Sequence, residues 1–266
     1  MTAIIHPTAV IEKGAELGSN VSIGAYTTIG PNVVVGDDCV IAAHVNIEGH
    51  TELGNANRVY SFSSIGGDPQ SVAYKGEPTK TVIGNNNVFR ENITVNRGTM
   101  IDEGITSIGD DNLFMAYVHI AHDCRLGSNL LFSNNASLAG HVRCGDHVVL
   151  AGYTLIHQFV RIGEYSFCGV NTYCTLDIPP FMLVAGDRAI TRGINVKGMR
   201  SRGFEDKEAL LELKRAYKTI YRSGHTMAGA LEILENATSE EGKGYNCEPV
   251  KRLVEFIKST TRGVIR

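Results

Sequence analysis

The sequence predicts a mainly β protein, a parallel β-helix of six-residue repeats, followed by a small α-helical domain. Three observations predict this fold: an aliphatic residue at every sixth position near the N-terminus, glycines concentrated before residue 200, and helical periodicity from residue 204. We expect the repeats to occupy residues 1–187, with loops extruded near 66–82 and 101–107. A linker and the helical domain are expected to occupy residues 188–266.

The repeat begins at Ile5 and stays aliphatic at eleven successive hexad positions, ending at Ile65. Period six fits neither an amphipathic helix nor a long alternating strand, and it is typical of hexapeptide β-helices. Each hexad supplies a short strand and a turn, and three hexads complete a triangular coil. The aliphatic residue points inward and stacks on its counterpart one coil away, at about 4.8 Å. The glycine that often follows it suits a turn in which a Cβ would be costly.

Two interruptions divide the repeat. The pattern pauses at 66–82 and resumes at Ile83; it pauses again near 101–107 and then runs, slipped by one residue, from Ile108 to Cys174. Loops that leave a rigid scaffold often carry binding residues. Because the first loop also holds an aromatic residue and charged residues, we expect it to take part in binding.

Helical periodicity begins at Phe204. Apolar residues such as Leu210, Leu213 and Ile220 then recur at three- and four-residue spacing. The pattern predicts roughly three helices, which would also cap the open end of the solenoid.

Composition limits the partners and the compartment. The net charge of −3 gives no reason to expect nucleic acid as a partner. The first residues lack the pattern of a signal peptide, and no apolar run is long enough for a membrane span, so we expect a cytoplasmic protein without stable membrane insertion. The six cysteines form no CxxC pair and no metal-ligand cluster. We interpret them as reduced thiols, several of them in the core, and expect no cofactor.

Histidines are the residues best suited to chemistry in the second block of hexads. When the hexads are grouped in threes, His122, His141 and His157 fall in the third hexad of successive coils and therefore on one edge of the prism, with His119 near the same corner. A single turn histidine is usually only a surface residue, but three on one edge favour a function. Imidazole, with an ordinary pKa of ~6.5, accepts a proton near neutral pH. Asp123 follows His122 directly and could orient its ring.

Two alternatives remain open from the residues alone. Three histidines on one edge are compatible with a zinc site, as in the γ-class carbonic anhydrases, which are trimeric hexapeptide β-helix proteins. A purely structural solenoid is the other alternative. β-Helices that bind through a ladder of identical side chains usually repeat threonine or asparagine at every coil. The histidines and loops of this chain are instead placed singly.

Several segments resemble one enzyme family, the UDP-N-acetylglucosamine 3-O-acyltransferases of lipid A biosynthesis. The resemblance covers essentially the whole chain and is more specific than the hexads, which many transferases share. The related N-acyltransferases, which act later in the pathway, carry an extra domain before their coils, whereas here the hexads begin at residue 5. The matching segments are VHIAHDC (118–124), NNASLAGHV (134–142), HQF (157–159), IPPF (178–181), RGF (202–204), GEPT (76–79), NRGT (96–99), YRSG (221–224) and STTRGVIR (259–266).

The resemblance implies a left-handed β-helix and a homotrimer, with active sites between neighbouring coils. The implied donor is an (R)-3-hydroxyacyl group on acyl carrier protein, and the implied acceptor is the 3-hydroxyl of UDP-N-acetylglucosamine. Transfer would be direct, so that no acyl-enzyme forms. The resemblance assigns the general base to His122 and the oxyanion donor to the backbone N–H of Gly140.

The remaining residue roles also follow from the resemblance. Four residues would position the sugar and the acyl chain, and two would hold the nucleotide, arginine being suited to phosphate. Basic residues near and on the helices could meet an acidic carrier protein. The first set is His119, His141, His157 and Gln158; the second is Asn195 and Arg202; the third is Arg200, Lys214, Arg215, Lys218 and Arg222.

Departures from the family pattern concern specificity. In the first loop the best-known members carry aspartate and lysine where this chain has Ser71 and Ala73, so a 3-amino analogue of the UDP-sugar remains a possible acceptor. Lys197 and Ser201 replace a glutamate and an arginine near the nucleotide. Val170 stands where long-chain members have glycine in the acyl groove, and we therefore expect a shorter hydroxyacyl chain.

Overall fold

The computed structural model describes residues 4–236 and 247–266. Three short strands make one triangular coil, and each strand pairs in parallel with the strand one coil away. The predicted fold class, a left-handed parallel β-helix of hexapeptide repeats with a C-terminal α-helical domain, is confirmed. The three faces of the prism are named A, B and C below.

The strands of each face are given in their order along the prism. Face A comprises β1 (Ile4–Ile5), β4 (Ser22–Ile23), β7 (Val40–Ile41), β10 (Arg58–Val59), β13 (Val88–Phe89), β16 (Leu113–Phe114), β19 (Leu131–Phe132), β22 (Val149–Leu150), β25 (Phe167–Cys168), β27 (Met182–Ala185) and β28 (Ile190–Ile194). Face B comprises β2 (Val10–Ile11), β5 (Thr28–Ile29), β8 (Asn46–Ile47), β11 (Ser64–Gly67), β14 (Thr94–Asn96), β17 (His119–Ile120), β20 (Ser137–Leu138), β23 (Leu155–Ile156) and β26 (Tyr173–Cys174). Face C comprises β3 (Glu16–Leu17), β6 (Val34–Val35), β9 (His50–Leu53), β12 (Lys80–Ile83), β15 (Ile105–Ile108), β18 (Arg125–Leu126), β21 (Arg143–Cys144) and β24 (Arg161–Ile162).

The core is a stack of the inward residues of the hexads. Phe89, Phe114 and Phe132 lie above one another with ring centroids 5.3 and 5.2 Å apart, and all three are fully buried. Cysteines occupy inward positions as well; Cys144 and Cys168 are buried and unpaired, as predicted. Burial of this continuous apolar column is the main force that stabilises the coils.

Turns of the repeat explain its glycines and its polar residues. The residue three positions after the inward one adopts a left-handed conformation, as at Asn20 (φ 59°) and His44 (φ 59°). Glycine often follows the inward residue because the next coil passes close by. A Cβ on Gly18 would lie 2.7 Å from the backbone N of Asp37, which is closer than real Cβ contacts allow.

The chain leaves the coils at both predicted interruptions, but with different limits. The loops run over 68–79 and 97–104. Lys80–Ile83 and Ile105–Ile108 form four-residue strands rather than two-residue ones, because they pair with each other along their whole length and Lys80–Ile83 also pairs with all of His50–Leu53. Residues 80–82 and 105–107, which the hexad pattern assigned to the loops, therefore belong to strands.

The C-terminal part comprises α1 (Val196–Ser201), α2 (Lys207–Tyr221), α3 (Met227–Asn236) and α4 (Glu248–Lys258). Asp206 caps α2 by accepting the N–H of Ala209 at 2.9 Å. β28 pairs antiparallel with β27; it lies beyond residue 187, and the division of domains at that residue remains a prediction. The last residues return to the coils, where the N–H of Ile265 donates to the carbonyl of Asp177 at 2.9 Å. Of the described helices, none has the length and apolar character to cross a bilayer.

Candidate active site

A groove of about 460 Å³ lies on face B, at the corner where the chain turns towards face C. It contains five of the residues predicted from the sequence and also the side chain of Tyr173. A larger cavity, of about 530 Å³, lies by α3 and α4 and holds none of the predicted residues. The five predicted residues in the groove are His119, His122, Gly140, His157 and Gln158.

His122 is held by its neighbour in sequence. Its Nδ1 lies 2.8 Å from Oδ2 of Asp123, so that Nδ1 carries the proton and donates to the carboxylate. The opposite nitrogen, Nε2, is then an acceptor. The aspartate can reach back because it occupies the left-handed turn position (φ 62°). The predicted pairing of His122 with Asp123 is therefore present.

The second extruded loop fixes Asp123. Thr99 donates its backbone N–H to Oδ1 and its hydroxyl to Oδ2, each at 2.7 Å. The carboxylate is buried, and burial by itself would raise its pKa. The hydrogen bonds from His122 and Thr99 oppose this and hold the pKa of Asp123 below its ordinary value. Asp123 is therefore ionised at neutral pH and can stabilise a positive charge on His122.

Gly140 lies directly beneath the ring of His122. A Cβ on Gly140 would stand 2.6 Å from Cε1 and 2.9 Å from Nε2 of His122, so no side chain fits there without moving the imidazole. Among the described residues, no acceptor takes a hydrogen bond from the N–H of Gly140. A free backbone donor thus lies next to the acceptor nitrogen of His122.

The C-terminal segment reaches His157. Nη2 of Arg262 lies 3.4 Å from Nδ1 of His157, and Nη1 of Arg262 donates to the carbonyl of Gln158. The same Nδ1 lies 3.1 Å from the carbonyl oxygen of Gln158. Because Nδ1 has both a donor and an acceptor within reach, these contacts hold the ring in place without assigning its proton to either nitrogen.

His119 is anchored by the neighbouring strand of face B. Its Nδ1 lies 2.7 Å from Oγ1 of Thr94 on the neighbouring strand. Burial lowers the pKa of His119, and the nearby His122 lowers it further. His119 is therefore neutral at pH 7 and suited to hydrogen bonding rather than to ion pairing.

His141 does not line the groove. Its ring is buried and stacks on Phe159, with centroids 4.3 Å apart. Nε2 of His141 lies 3.6 Å from Oδ2 of Asp123, and its Nδ1 lies 3.6 Å from Oδ2 of Asp102. His141 thus supports Asp123 from behind, and the substrate contact predicted for it remains a prediction.

The differing directions of the three histidines follow from their places within the hexad. His122 stands two residues after its inward residue, His141 three and His157 one. Grouping by coil therefore predicts the shared edge but not the side to which each ring points. Ligand atoms of His122, Asp123 and His141 lie within 4.8 Å of one another, a grouping that does not include His157. In the described residues, the three predicted histidines do not form one zinc site.

The two residues predicted to hold the nucleotide lie elsewhere. Asn195 caps α1: its Oδ1 accepts the N–H of Gly198 at 3.1 Å, and its Nδ2 donates to the carbonyl of Tyr165 at 2.9 Å. Arg202 lines a second cavity, of about 340 Å³, on face A. Burial lowers the pKa of Arg202, and its Nη1 donates to the carbonyl of His147 at 3.2 Å.

The residues expected to set specificity lie near the groove without lining it. Ser71 makes loop contacts, such as the hydrogen bond from its N–H to the carbonyl of Pro69 at 2.8 Å, whereas its neighbour Gln70 reaches the groove. Val170 is 70% exposed in the turn that precedes Tyr173. The five basic residues considered for the carrier protein are all exposed: Arg200, Lys214, Arg215, Lys218 and Arg222.

Three further residues of the site carry no assignment from the sequence. Thr99 and Arg262 lie in NRGT and STTRGVIR, segments that mark the family resemblance without indicating what these residues touch. Asp102 lies in the second interruption, which the hexad pattern treats only as an insertion. The contacts of these residues depend on the path of the loops and of the C-terminus.

Comparisons of the sequence identify related proteins. The family model described as "Udp N-acetylglucosamine O-acyltransferase; Domain 2" matches residues 177–265, and that of the bacterial transferase hexapeptide matches residues 14–49. The acyl-[acyl-carrier-protein]--UDP-N-acetylglucosamine O-acyltransferase of Burkholderia orbicola is 47% identical over 214 residues, which are 80% of each chain. Its counterpart in a Janthinobacterium species is 48% identical over 210 residues, 79% of each chain.

Solved structures share the fold. The UDP-N-acetylglucosamine acyltransferase of Francisella novicida superposes with a TM-score of 0.93 at 35% identity, covering 99% of this chain and 94% of that one. LpxA of Acinetobacter baumannii superposes with a TM-score of 0.92 at 39% identity, covering 99% of this chain and 100% of that one.

Proposed function

Because this chain belongs to the acyl-[acyl-carrier-protein]--UDP-N-acetylglucosamine O-acyltransferases, and is thus an acyltransferase of lipid A biosynthesis, we propose that it transfers an (R)-3-hydroxyacyl group from acyl carrier protein to the 3-hydroxyl of UDP-N-acetylglucosamine. This would be the first step of the pathway and would take place in the cytoplasm. The observation that carries the proposal is the acceptor nitrogen of His122, backed by Asp123 and adjacent to the free N–H of Gly140.

His122 is the general base. A sugar hydroxyl is a weak nucleophile, and it needs a base to take its proton as it attacks the thioester. Nε2 of His122 accepts that proton, and the ionised Asp123 at Nδ1 stabilises the resulting imidazolium. When the tetrahedral intermediate collapses, the thiolate of the carrier arm leaves and receives the proton. No side-chain nucleophile takes part, so the acyl group passes directly from sulfur to oxygen.

Gly140 stabilises the oxyanion. Attack on the thioester carbonyl places negative charge on its oxygen, which requires a hydrogen-bond donor in a fixed position. The N–H of Gly140 is held by the coil, and no other group of the described residues takes it. Its closeness to His122 lets one carbonyl meet base and oxyanion donor together.

The other residues in the groove orient the substrates. His157 is held at its Nδ1 by Arg262 and by the carbonyl of Gln158, so that its Nε2 is left to bond the sugar or the acyl group. His119 is held by Thr94 and uncharged, so that it can bond a hydroxyl of the sugar. Gln158 lies at the end of the same groove.

A homotrimer would bring the two sets of predicted residues together. The outward residues of face A are apolar in the later coils, and Arg202 lies at this face beside Leu113 and Leu131. If face A of one protomer approaches the groove of the next, Arg202 and Asn195 of one chain can hold the nucleotide whose sugar lies beside His122 of its neighbour. An apolar face of this kind is typical of a homo-oligomer interface.

The test is an acyl-transfer assay with purified acyl carrier proteins. Transfer is measured with hydroxyacyl chains of several lengths and with UDP-N-acetylglucosamine or its 3-amino analogue as acceptor. We expect transfer to the 3-hydroxyl, and a preference for shorter chains that Val170→Gly relaxes. The variant His122→Ala should lose nearly all activity and keep its oligomeric state. Near-normal turnover by His122→Ala would remove His122 from the role of base, and transfer only to the 3-amino sugar would overturn the proposed acceptor.

A further inference from the structure

Face C carries a column of three arginines. Arg125, Arg143 and Arg161 are direct neighbours in the parallel pairing of β18, β21 and β24, and successive Cα atoms are therefore about 4.8 Å apart. Like charges placed opposite each other destabilise a sheet, so such a column calls for compensating anions. The equivalent outward positions of the preceding strands hold no arginine; they are Glu16, Val34, Glu52, Val82 and Ser107.

The first arginine is neutralised within the chain. Nη2 of Arg125 lies 3.1 Å from Oδ1 of Asp102 and 2.9 Å from Oε1 of Glu103. Both carboxylates come from the second extruded loop. The positive charge of Arg125 is therefore compensated by two carboxylates.

Arg143 and Arg161 have no carboxylate partner among the described residues. Arg143 is exposed, and within residues 4–236 and 247–266 its guanidinium makes neither a hydrogen bond nor an ion pair. The guanidinium of Arg161 lies 4.5 Å from the ring centroid of Phe256, and its Nη1 donates to the carbonyl and hydroxyl oxygens of Ser259 at 3.1 Å. These neutral groups fix the position of Arg161 without removing its charge.

The column opens into a groove of about 410 Å³ between face C and α4. Two carboxylates also line this groove. Glu164 is paired, since it accepts two hydrogen bonds from Arg252, at 2.8 and 3.0 Å. Oδ1 of Asp146 accepts only the neutral N–H of Ser128, at 2.8 Å, and Asp146 keeps its charge. Among the described residues, the guanidiniums of this groove without a carboxylate partner are those of Arg143 and Arg161.

We propose that this groove binds the phosphate group of a small soluble ligand, held between the guanidiniums of Arg143 and Arg161. Two planar guanidiniums one coil apart can each donate to separate oxygens of one tetrahedral anion. The anion would compensate the positive charges of Arg143 and Arg161, as Asp102 and Glu103 compensate that of Arg125. The site lies on a different face from the acyl-transfer groove and does not depend on the function proposed for that groove.

The test uses the full-length protein and inorganic phosphate as the probe. Binding is measured by calorimetric titration at low ionic strength with wild type, Arg143→Gln and Arg161→Gln. The matched control is Arg58→Gln, which removes an exposed arginine from an outward strand position on face A. Sedimentation with phosphatidylglycerol vesicles separates a soluble phosphate ligand from a lipid headgroup. Acyl transfer and thermal unfolding of each variant check that its fold is intact.

We expect saturable binding of one phosphate per chain, weakened at least about tenfold in Arg143→Gln and in Arg161→Gln, as for the loss of a charge-assisted hydrogen bond. Arg58→Gln should bind like wild type, and vesicles should not sediment the protein. Absence of saturable binding, equal weakening by Arg58→Gln, or association with vesicles that requires Arg143 would each overturn the proposal.

Discussion

At the scale of single residues, the tightest constraint on the site is the space above Gly140. Alanine at this position would place its Cβ 2.6 Å from Cε1 of His122, and the imidazole must move because the backbone of the coil cannot. We expect Gly140→Ala to lower kcat by roughly 10²-fold, the scale of misplacing a reacting group by about an ångström. Steady-state kinetics and thermal unfolding measure the two effects separately.

The coil provides a matched control for that variant. Gly152 occupies the same place in its hexad, and there an added Cβ would meet its nearest atom at 3.4 Å, an ordinary contact. Gly152→Ala should leave kcat within about twofold of wild type, as expected for an unstrained change. If both alanine variants lose activity equally, the closeness of Gly140 to His122 is not the cause.

The negative charge of Asp123 beside His122 can be tested by substitution. Asparagine would keep the size of the side chain but lose the negative charge that stabilises protonated His122. We expect Asp123→Asn to lower kcat by roughly 10²- to 10⁴-fold, the range for general acid–base catalysis, with little change in KM. Asp38→Asn is the control, because Asp38 has the same left-handed turn position (φ 58°) far from the groove. A variant Asp123→Asn that turns over normally would show that the carboxylate only fills space.

Some of this site could be predicted from the sequence and some could not. The edge shared by the three histidines follows from counting hexads in threes. The adjacency of Asp123 to His122 allows their pairing but does not require it, because neighbours on a strand face opposite ways. The direction of the His141 ring does not follow from that count. It depends on the offset of His141 within the hexad and on the left-handed turn conformation there (φ 63°). The contact of Thr99 with Asp123 could not be predicted from the sequence either, because it depends on how an irregular loop returns to the coil.

At the scale of elements, the C-terminal segment contacts two residues of the groove, His157 and Gln158. Residues 263–265 return to the coil beside Asp177 and thereby bring Arg262 to His157. We expect Arg262→Gln to lower kcat/KM by about tenfold, the value of one hydrogen bond to a charged group, because the carbonyl of Gln158 loses the guanidinium that holds it beside His157.

Rescue distinguishes this positioning role from a structural one. Lysine can still donate to the carbonyl of Gln158, so Arg262→Lys should recover part of the lost kcat/KM. The midpoint of thermal unfolding should be similar in the two variants. If both variants unfold at lower temperature and are equally inactive, Arg262 acts only by holding the C-terminus in place.

The elements themselves differ in how far the sequence determines them. The strands and α2 to α4 are predictable because a period of six or of three to four residues is written into their apolar positions. The six-residue α1 is too short to show a period, and it exists because Asn195 caps it. β28 lies after the last hexad and pairs antiparallel, an arrangement that the repeat does not contain.

At the scale of the whole molecule, the residues predicted to act together lie on different faces. His122 lies at the groove of face B, whereas Arg202 lies beside Leu131 on face A. No rearrangement within a rigid prism can join them, because the coils are tied by continuous parallel pairing. A second copy of the chain is therefore needed if both sets bind one UDP-sugar.

The outward valines of the coils allow this assembly to be tested. Val149 lies on face A and Val82 on face C, and both are half-buried strand residues. If the later coils of face A form the trimer interface, Val149→Glu buries an unpaired charge in each interface, at a cost of several kcal/mol. We expect wild type and Val82→Glu to sediment as trimers in analytical ultracentrifugation, and Val149→Glu to dissociate and lose acyl transfer together with nucleotide binding. A monomeric wild type, or a Val149→Glu variant that remains trimeric and active, would show that Arg202 and His122 do not meet across face A.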